Sequence, residues 1–418
     1  MTIDPYYARF GALEPQIAVP ARSDVGLIVV IPCYNEPNLR ASLEALWSCL
    51  RPGCAVEVIT VINSASDASA EIVSQNQKTL DEAQRWAESR QDPRFTFHFL
   101  HCPALPPKQA GVGLARKIGM DEAARRFDAI RRPNGVIVCF DADSLCESNY
   151  LCAIEQHFEQ DPRTPGCSIY FEHPLEGDLP AQVYEAITLY ELHLRYYVQA
   201  LRFAGFPYAY HTIGSSMVVR ANVYKKQGGM NKRQAGEDFY FLHKVIPLGG
   251  FTDLTTTRVI PSPRCSDRVP FGTGKAIGDF LESGELKTYP LEAFLDLQSL
   301  FTQVRTLGSK TFLPSSAFEL PRAISSYLEE QEFGKALEEI ESNTASAATF
   351  QKRFFGWFNG FQVMKFVHFA RDTFYGERVI PVEARKLLEL MNQPMDETAS
   401  VRELLLRYRL ADRHGTRM

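Results

Sequence analysis

The chain has 418 residues, 45% of them hydrophobic and 23% charged, which is ordinary for a folded enzyme of two or three domains. A formal charge of −5 and a pI near 6.0 argue against a protein that binds nucleic acid over a broad surface. The nine cysteines contain no Cys-x-x-Cys pair, which favours a reducing cytoplasm over a disulfide framework. Without a signal peptide or an apolar stretch of ~20 residues, we expect a cytoplasmic protein with no transmembrane segment.

Residues 1–24 are predicted to form an N-terminal arm that three prolines interrupt. From there the chain alternates apolar strand patterns with helical patterns over about 120 residues, which is typical of βαβ units and a mostly parallel sheet flanked by helices. The predicted strands are Val25–Ile31, Val56–Ile62, Phe95–Leu100 and Val136–Phe140. The alternation loosens after Asp143, and from about Phe280 the pattern is mostly helical. We therefore divide the chain at residues 25–145, 146–279 and 280–418, the last being a helical C-terminal region.

The most informative motif is Phe140-Asp141-Ala142-Asp143, two carboxylates one residue apart at the end of a buried strand. Open α/β folds bind their ligands at the carboxyl ends of their strands. Two acids at such a position repel each other unless a cation lies between them, and hard oxygen ligands suit Mg²⁺ or Mn²⁺ that bridges to phosphate oxygens. The motif therefore predicts a divalent metal site formed by Asp141 and Asp143.

Polar residues also follow the first two predicted strands. Asn35 and Glu36 come after the first strand and Asn63 after the second. Because the carboxyl ends of parallel strands share one edge of the sheet, we expect these side chains to lie near Asp141 and Asp143. Turn formation and helix capping would also explain the two asparagines, but three strand ends with polar residues favour a site.

These motifs resemble those of family 2 glycosyltransferases, which have the GT-A nucleotide-sugar fold. Pro32, Tyr34, Asn35 and Glu36 match the Pro-x-Tyr/Phe-Asn-Glu end of the family's first strand. At the end of the second strand Asn63 replaces the acid that usually contacts uracil. The resemblance covers roughly residues 25–275 and implies that residues 25–145 bind the nucleotide-sugar.

Further matches come from a helix start and from the Asp-x-Asp motif itself. Gly111-Val112-Gly113-Leu114-Ala115-Arg116-Lys117 resembles the family's Gly-x-x-x-Ala-Arg-Asn helix start, whose arginine approaches the nucleotide. The resemblance therefore implies that Arg116 and Asp141 contact the donor, with the metal on Asp141 and Asp143.

Residues 146–279 would hold the acceptor and the catalytic base. Gly236-Glu237-Asp238 opens a predicted helix, where acids can simply complement the helix dipole. In the family a Glu-Asp pair at such a helix start carries the base, so the resemblance implies that Asp238 deprotonates the acceptor hydroxyl and Glu237 positions it. Arg264 and Arg268 follow a strand and are candidates for contacts with the diphosphate, a solvated loop being the alternative.

We therefore expect a metal-dependent, inverting glycosyltransferase that uses a UDP- or GDP-sugar, with Mn²⁺ or Mg²⁺ as cofactor. The acceptor would be a sugar, a lipid or a small molecule, as in the synthesis of cell-envelope polysaccharide. Two alternatives are a non-catalytic relative that binds nucleotide-sugars or carbohydrate, and a sugar nucleotidylyltransferase. The aromatic segment 354–375 favours ordinary packing, with peripheral contact at the inner membrane face as the alternative.

Overall fold

The computed structural model describes residues 4–266, 268, 272–307 and 319–414. They form two compact units, each built from two segments of the chain. The first, here the sheet unit, comprises residues up to Leu179 and Thr212–Lys275. The second, here the helical unit, comprises Pro180–His211 and the chain from Ala276 onward.

The sheet unit contains an eight-stranded sheet, in the order β3-β2-β1-β4-β7-β6-β8-β5. Its strands are β1 (Val25–Cys33), β2 (Ala55–Ala65), β3 (Phe95–Leu105), β4 (Val136–Cys139), β5 (Leu145–Cys146), β6 (Gly166–Phe171), β7 (Met217–Arg220) and β8 (Thr252–Ile260). The pairs β1/β2, β1/β4, β2/β3 and β6/β8 are parallel, whereas β7 runs antiparallel to β4 and β6, and β5 antiparallel to β8. The mostly parallel sheet predicted from the sequence is therefore confirmed.

Helices cover the sheet and make up most of the helical unit. In chain order the helices are α1 (Pro5–Phe10), α2 (Leu39–Trp47), α3 (Ala70–Glu88), α4 (Val112–Ala129), α5 (Tyr150–Gln160), α6 (Ala181–Phe203), α7 (Ala221–Lys226), α8 (Glu237–Val245), α9 (Thr273–Ser283), α10 (Leu291–Leu307), α11 (Arg322–Glu330), α12 (Phe333–Ser342), α13 (Ala347–Trp357), α14 (Gly360–Ala370), α15 (Ile380–Leu390) and α16 (Val401–His414). Two short strands, β9 (Lys287–Thr288) and β10 (Arg378–Val379), pair antiparallel. The helical C-terminal region expected from the sequence is confirmed.

The strands β1, β2 and β4 form the core of the sheet unit because their apolar runs are buried on both faces, as parallel strands between helix layers must be. Helix α4 packs on β1 and β2 and is buried over most of its length. The N-terminal arm docks on this helix through α1, since the hydroxyl of Tyr6 donates to Asp121 at 2.6 Å and that of Tyr7 to Asp128 at 2.7 Å.

The helical unit has an aromatic core. Phe206 packs against Phe301 and Phe355, with ring centroids 5.8 and 6.1 Å apart. Phe354 and Phe358 are fully buried and stacked, so packing accounts for these aromatic residues of segment 354–375. Among the described helices, none combines the length and apolar character that crossing a bilayer requires.

Candidate active site

The predicted site residues on β1, β2 and β4 meet at one edge of the sheet. These strands are adjacent and parallel, so their carboxyl ends lie together. Pro32 is inside β1, in register with Val61 of β2. Asn35 and Glu36 follow β1, and Asp141 and Asp143 follow β4.

Asn35 and Asn63 are joined by a residue that sequence reasoning missed. The backbone N–H of Asn35 donates to Oδ1 of Asn76 at 2.9 Å, and Nδ2 of Asn76 donates to the carbonyl of Asn63 at 2.9 Å. Asn35 has a φ of +48°, a left-handed conformation that asparagine tolerates better than most residues. Asn76 lies on the buried face of α3, and a polar residue within that apolar stripe is the signal that could have revealed it.

Asn63 contributes an acceptor that the fold leaves unused. Its side chain is 1% exposed, and Nδ2 donates to the carbonyl of Ala110 at 3.3 Å. Its buried Oδ1 has no hydrogen-bond partner among the described residues. A buried acceptor without a partner costs free energy, so this oxygen is suited to a ligand that brings an N–H group.

Glu36 is a fully buried carboxylate that holds two arginines. Arg264 donates to both of its oxygens, and Arg268 donates to Oε2 at 3.0 Å. Arg268 also donates to the carbonyl of Tyr34 at 3.0 Å. Arg264 and Arg268 therefore lie against the strand-end acids and not in a solvated loop. Glu36 holds both guanidinium groups in place.

The same two arginines reach Asp143. Arg264 donates to Oδ2 of Asp143 at 2.9 Å, and Arg268 to the same oxygen at 3.4 Å. Burial and the neighbouring charge of Asp141 raise the pKa of Asp143 to about 6, although Arg264 opposes the shift. The negative charge of Asp143 is thus partly neutralised by Arg264 and Arg268, which lie in the segment after β8.

Asp141 and Asp143 could together bind a divalent cation whose other ligands come from a bound substrate. No hydrogen bond from another described residue engages Oδ2 of Asp141 or Oδ1 of Asp143. No group of three or more His, Cys, Asp or Glu side chains in the described part of the chain is arranged around a metal position. Mg²⁺ is commonly held by one or two carboxylates together with substrate phosphates, and that is what these two free oxygens allow.

Arg116 connects the two acidic motifs. Its side chain is 2% exposed and donates to Oδ1 of Asp141 at 2.8 Å and to the carbonyl of Gly214 at 2.9 Å. Its Nε lies 3.4 Å from Oε1 of Glu237. Arg116 therefore brings the Asp-x-Asp motif and the start of α8 into one site. Sequence patterns gave no signal for Gly214, since it contributes a backbone carbonyl.

Glu237 and Asp238 open helix α8 after Gly236, which has a φ of +69°. Oδ1 of Asp238 accepts from the N–H of Phe239 at 2.7 Å. Burial raises the pKa of Glu237 to about 7, with Asp238 adding to the rise and Arg116 opposing it. Burial also raises the pKa of Asp238. Helix capping alone does not explain an acid pair with raised pKa values that contacts a buried arginine.

Comparison with known proteins supports a family assignment. Residues 28–228 match the family model for glycosyl transferase family 2. The chain is similar in fold to S. aureus TarS 1–349 in complex with UDP-GlcNAc, at 13% identity, a TM-score of 0.40, and coverage of 94% of this chain and 90% of that one. A second crystal structure of S. aureus TarS 1–349 gives 13% identity, a TM-score of 0.38 and coverage of 94% of this chain and 89% of that one. A comparison with curated proteins gives no match.

The family model spans β1 to α7, and so includes Asn35, Asn63, Arg116, Asp141 and Asp143. The sheet order and the strand-end acids described above agree with the GT-A fold that the sequence predicts. Residues 28–228 therefore form a region of glycosyl transferase family 2, and this match supports a nucleotide-sugar glycosyltransferase of that family.

Proposed function

We propose that this enzyme transfers a sugar from a UDP- or GDP-sugar to a hydroxyl acceptor, with a divalent metal and with inversion at the anomeric carbon. The observation that carries the proposal is the position of Arg116. One buried guanidinium contacts Asp141 at 2.8 Å and Glu237 at 3.4 Å. One guanidinium group therefore links the predicted metal-binding acid Asp141 to Glu237, the residue next to the predicted base Asp238.

The donor would bind at the strand ends. The diphosphate is the anionic part of the donor, and Arg264 and Arg268 supply two guanidinium groups, whose shape suits phosphate oxygens. The free Oδ1 of Asn63 would accept an N–H of the base, a group that both uracil and guanine possess. A neutral amide at this position leaves the choice between the two bases to the rest of the pocket.

Asp141 and Asp143 would hold the divalent cation through the oxygens that the arginines leave free. When bound, such a cation stabilises the extra negative charge of the departing nucleoside diphosphate as a Lewis acid. Arg264 and Arg268 add positive charge to the same region.

Asp238 would accept the proton of the acceptor hydroxyl as the new glycosidic bond forms. An alcohol is a weak nucleophile at neutral pH, so transfer needs a carboxylate within reach of its proton. The raised pKa of Asp238 increases its basicity. A single base and a leaving group on the opposite face of the sugar lead to one displacement with inversion.

The test is release of nucleoside diphosphate from a panel of UDP- and GDP-sugars with Mn²⁺, with Mg²⁺ or with EDTA. We expect metal-dependent turnover of one donor. Asp143→Asn should abolish it, and Asp238→Asn should lower transfer ~10²–10⁴-fold while nucleotide binding is retained. The matched control is Asp178→Asn, at an exposed aspartate outside the site, which should behave as wild type.

Four outcomes would contradict this proposal in whole or in part. Turnover that EDTA does not affect would show that the metal is not required. Full activity of Asp238→Asn would remove this residue from the role of base. A product with the anomeric configuration of the donor, observed by proton NMR at early times, would exclude single-displacement inversion. Release of pyrophosphate would instead indicate a nucleotidylyltransferase.

A further inference from the structure

Two cysteines that are far apart in the sequence lie side by side in the sheet unit. Cys49 follows helix α2 and Cys146 ends strand β5. Their Sγ atoms are 3.6 Å apart, although the residues are separated by 97 positions. All nine cysteines are free thiols in this structure, so the contact is one between two reduced side chains.

The surroundings of Cys49 contain groups that favour its thiol and groups that favour its thiolate. Its Sγ donates to the carbonyl oxygens of Ala45 at 3.4 Å and of Glu147 at 3.6 Å, which suits a thiol. The backbone N–H groups at the first turn of helix α5 act in the opposite direction. A helix N-terminus stabilises negative charge on sulfur. A hydrogen bond from Cys146 and these backbone donors lower the pKa of Cys49, although burial opposes them.

A buried tyrosine hydroxyl in the same part of the sheet unit also lacks a partner. The Tyr150 hydroxyl is fully buried and has no hydrogen-bond partner among the described residues. Its pKa is raised by burial and then by the charges of four nearby cysteines, Cys146, Cys49, Cys139 and Cys167. A buried donor without a partner is costly. A charged or oxidised sulfur beside it would provide the missing acceptor.

We propose that Cys49 and Cys146 are a redox-sensitive thiol pair that a hydroperoxide converts into a disulfide, and that this disulfide weakens donor binding. The Cys49 thiolate attacks one peroxide oxygen and breaks the O–O bond. With one proton taken from the solvent, this gives a sulfenic acid and an alcohol, or water from hydrogen peroxide. The Cys146 thiol then attacks the sulfenic sulfur and expels water. Two thiols thus lose two electrons to one peroxide. Since Cys49 is only 4% exposed, a small oxidant is favoured over a bulky disulfide.

The link to the donor site runs through β5. A disulfide has an S–S distance of about 2.05 Å, so the two sulfur atoms must move about 1.5 Å closer. Strand β5 begins two residues after Asp143 and pairs with Val259 and Ile260 of β8, after which the chain leads to Arg264. Movement of β5 therefore acts on both partners of the Arg264–Asp143 contact. The effect of the disulfide on donor binding rests on the proposed function.

The first experiment treats the full-length protein with hydrogen peroxide, blocks free thiols with N-ethylmaleimide, and digests it without reduction for mass spectrometry. We expect a peptide that links Cys49 to Cys146, is lost on reduction and is absent from Cys49→Ser and Cys146→Ser. Cys152→Ser is the matched control and should keep the link, because this thiol on α5 donates to the carbonyl of Leu50. Oxidation of the exposed Cys265 without a Cys49–Cys146 link would overturn the proposal.

The second experiment measures UDP and GDP affinity of the reduced and the oxidised protein by calorimetry. We expect the Kd of the bound nucleotide to rise about threefold or more on oxidation and to recover with dithiothreitol, with no change in Cys146→Ser. A linked protein with unchanged Kd would overturn the coupling. If the reduced protein bound neither nucleotide, the proposed function would fail, while the linked peptide would still decide on the thiol pair.

Discussion

Arg116 is the residue on which the two halves of the site depend. It is buried, yet it touches one acid from each motif and a backbone carbonyl. The cation lowers the pKa of both Glu237 and Asp238, against the burial that raises them. Arg116 would therefore act through its charge on Asp238, the proposed base, in addition to any contact with the donor.

Replacing Arg116 should change the pH dependence of the enzyme. Asp238 must be deprotonated to act as base, so activity is lost as pH falls through its pKa. Without the cation this pKa rises further, so in Arg116→Met the acid limb of kcat/KM should move to higher pH. Arg116→Lys keeps the charge and should move the limb less. The measurement is a pH–rate profile of both variants beside wild type, with circular dichroism to confirm folding, and an unshifted limb in Arg116→Met would refute this role.

Arg264 lies between the buried Glu36 and the half-buried Asp143. Arg264→Gln should raise the Kd of the nucleoside diphosphate about tenfold or more, because a charge-assisted hydrogen bond is worth about 1.5–3 kcal/mol. Calorimetric titration with UDP and GDP measures this. Arg163→Gln is the control, since that side chain is 94% exposed. Equal affinity of the two variants would mean that Arg264 serves only to neutralise Glu36.

At the scale of elements, the start of α4 fixes the loop that leads to α8. The N–H of Gly113 donates to the carbonyl of Arg233 at 3.2 Å, and Asn231 in the same loop donates to the carbonyl of Glu237 at 3.3 Å. A Cβ on Gly113 would lie 2.3 Å from that Arg233 carbonyl oxygen. Only glycine permits this approach, so α4 sets the position of the acids on α8.

Gly113→Ala should therefore displace the loop and lower kcat about tenfold to a hundredfold, because small misplacements of catalytic groups are costly. Gly356→Ala in helix α13 is the matched control, since its new Cβ would meet no atom within 4 Å. That control should gain about 0.5–1 kcal/mol of stability from the higher helix propensity of alanine and keep its activity. Steady-state kinetics and thermal melts of both variants test this, and wild-type kcat in Gly113→Ala would show that the loop adapts.

The elements that the sequence predicted best are those whose burial pattern is continuous. Strands β1 and β2 were recognisable because their apolar residues follow one another almost without interruption. The antiparallel direction of β7 was not recognisable, since it depends on how distant strands pair.

In the candidate site, the acids at the strand ends could be predicted from the sequence. The contact of Glu36 with Arg264 could not, because it joins residues 228 positions apart.

At the scale of the whole chain, the helical unit is closed by residues from its two separate segments. Asp412 on α16 accepts from Arg195 at 2.5 Å and from Gln199 at 2.5 Å, both on α6, and from His211 at 3.0 Å. Arg409 pairs with Glu191 at 2.8 Å. The last described helix is thus joined to α6 by buried charges, across more than 200 positions of sequence.

Removing the Asp412 charge should destabilise the helical unit strongly, since breaking a buried ion pair costs about 3–5 kcal/mol. His211 and the arginines hold the pKa of Asp412 well below its usual value, although burial opposes them. Its stabilising contribution is therefore complete above about pH 4 and is lost as pH falls further, through the folded-state pKa. The difference in unfolding free energy between wild type and Asp412→Asn should be large at pH 5 and shrink as the pH falls below about 4. Urea denaturation across this range measures it, with the exposed Asp396→Asn as control. A difference that grew on acidification would contradict the ionised state assigned to Asp412.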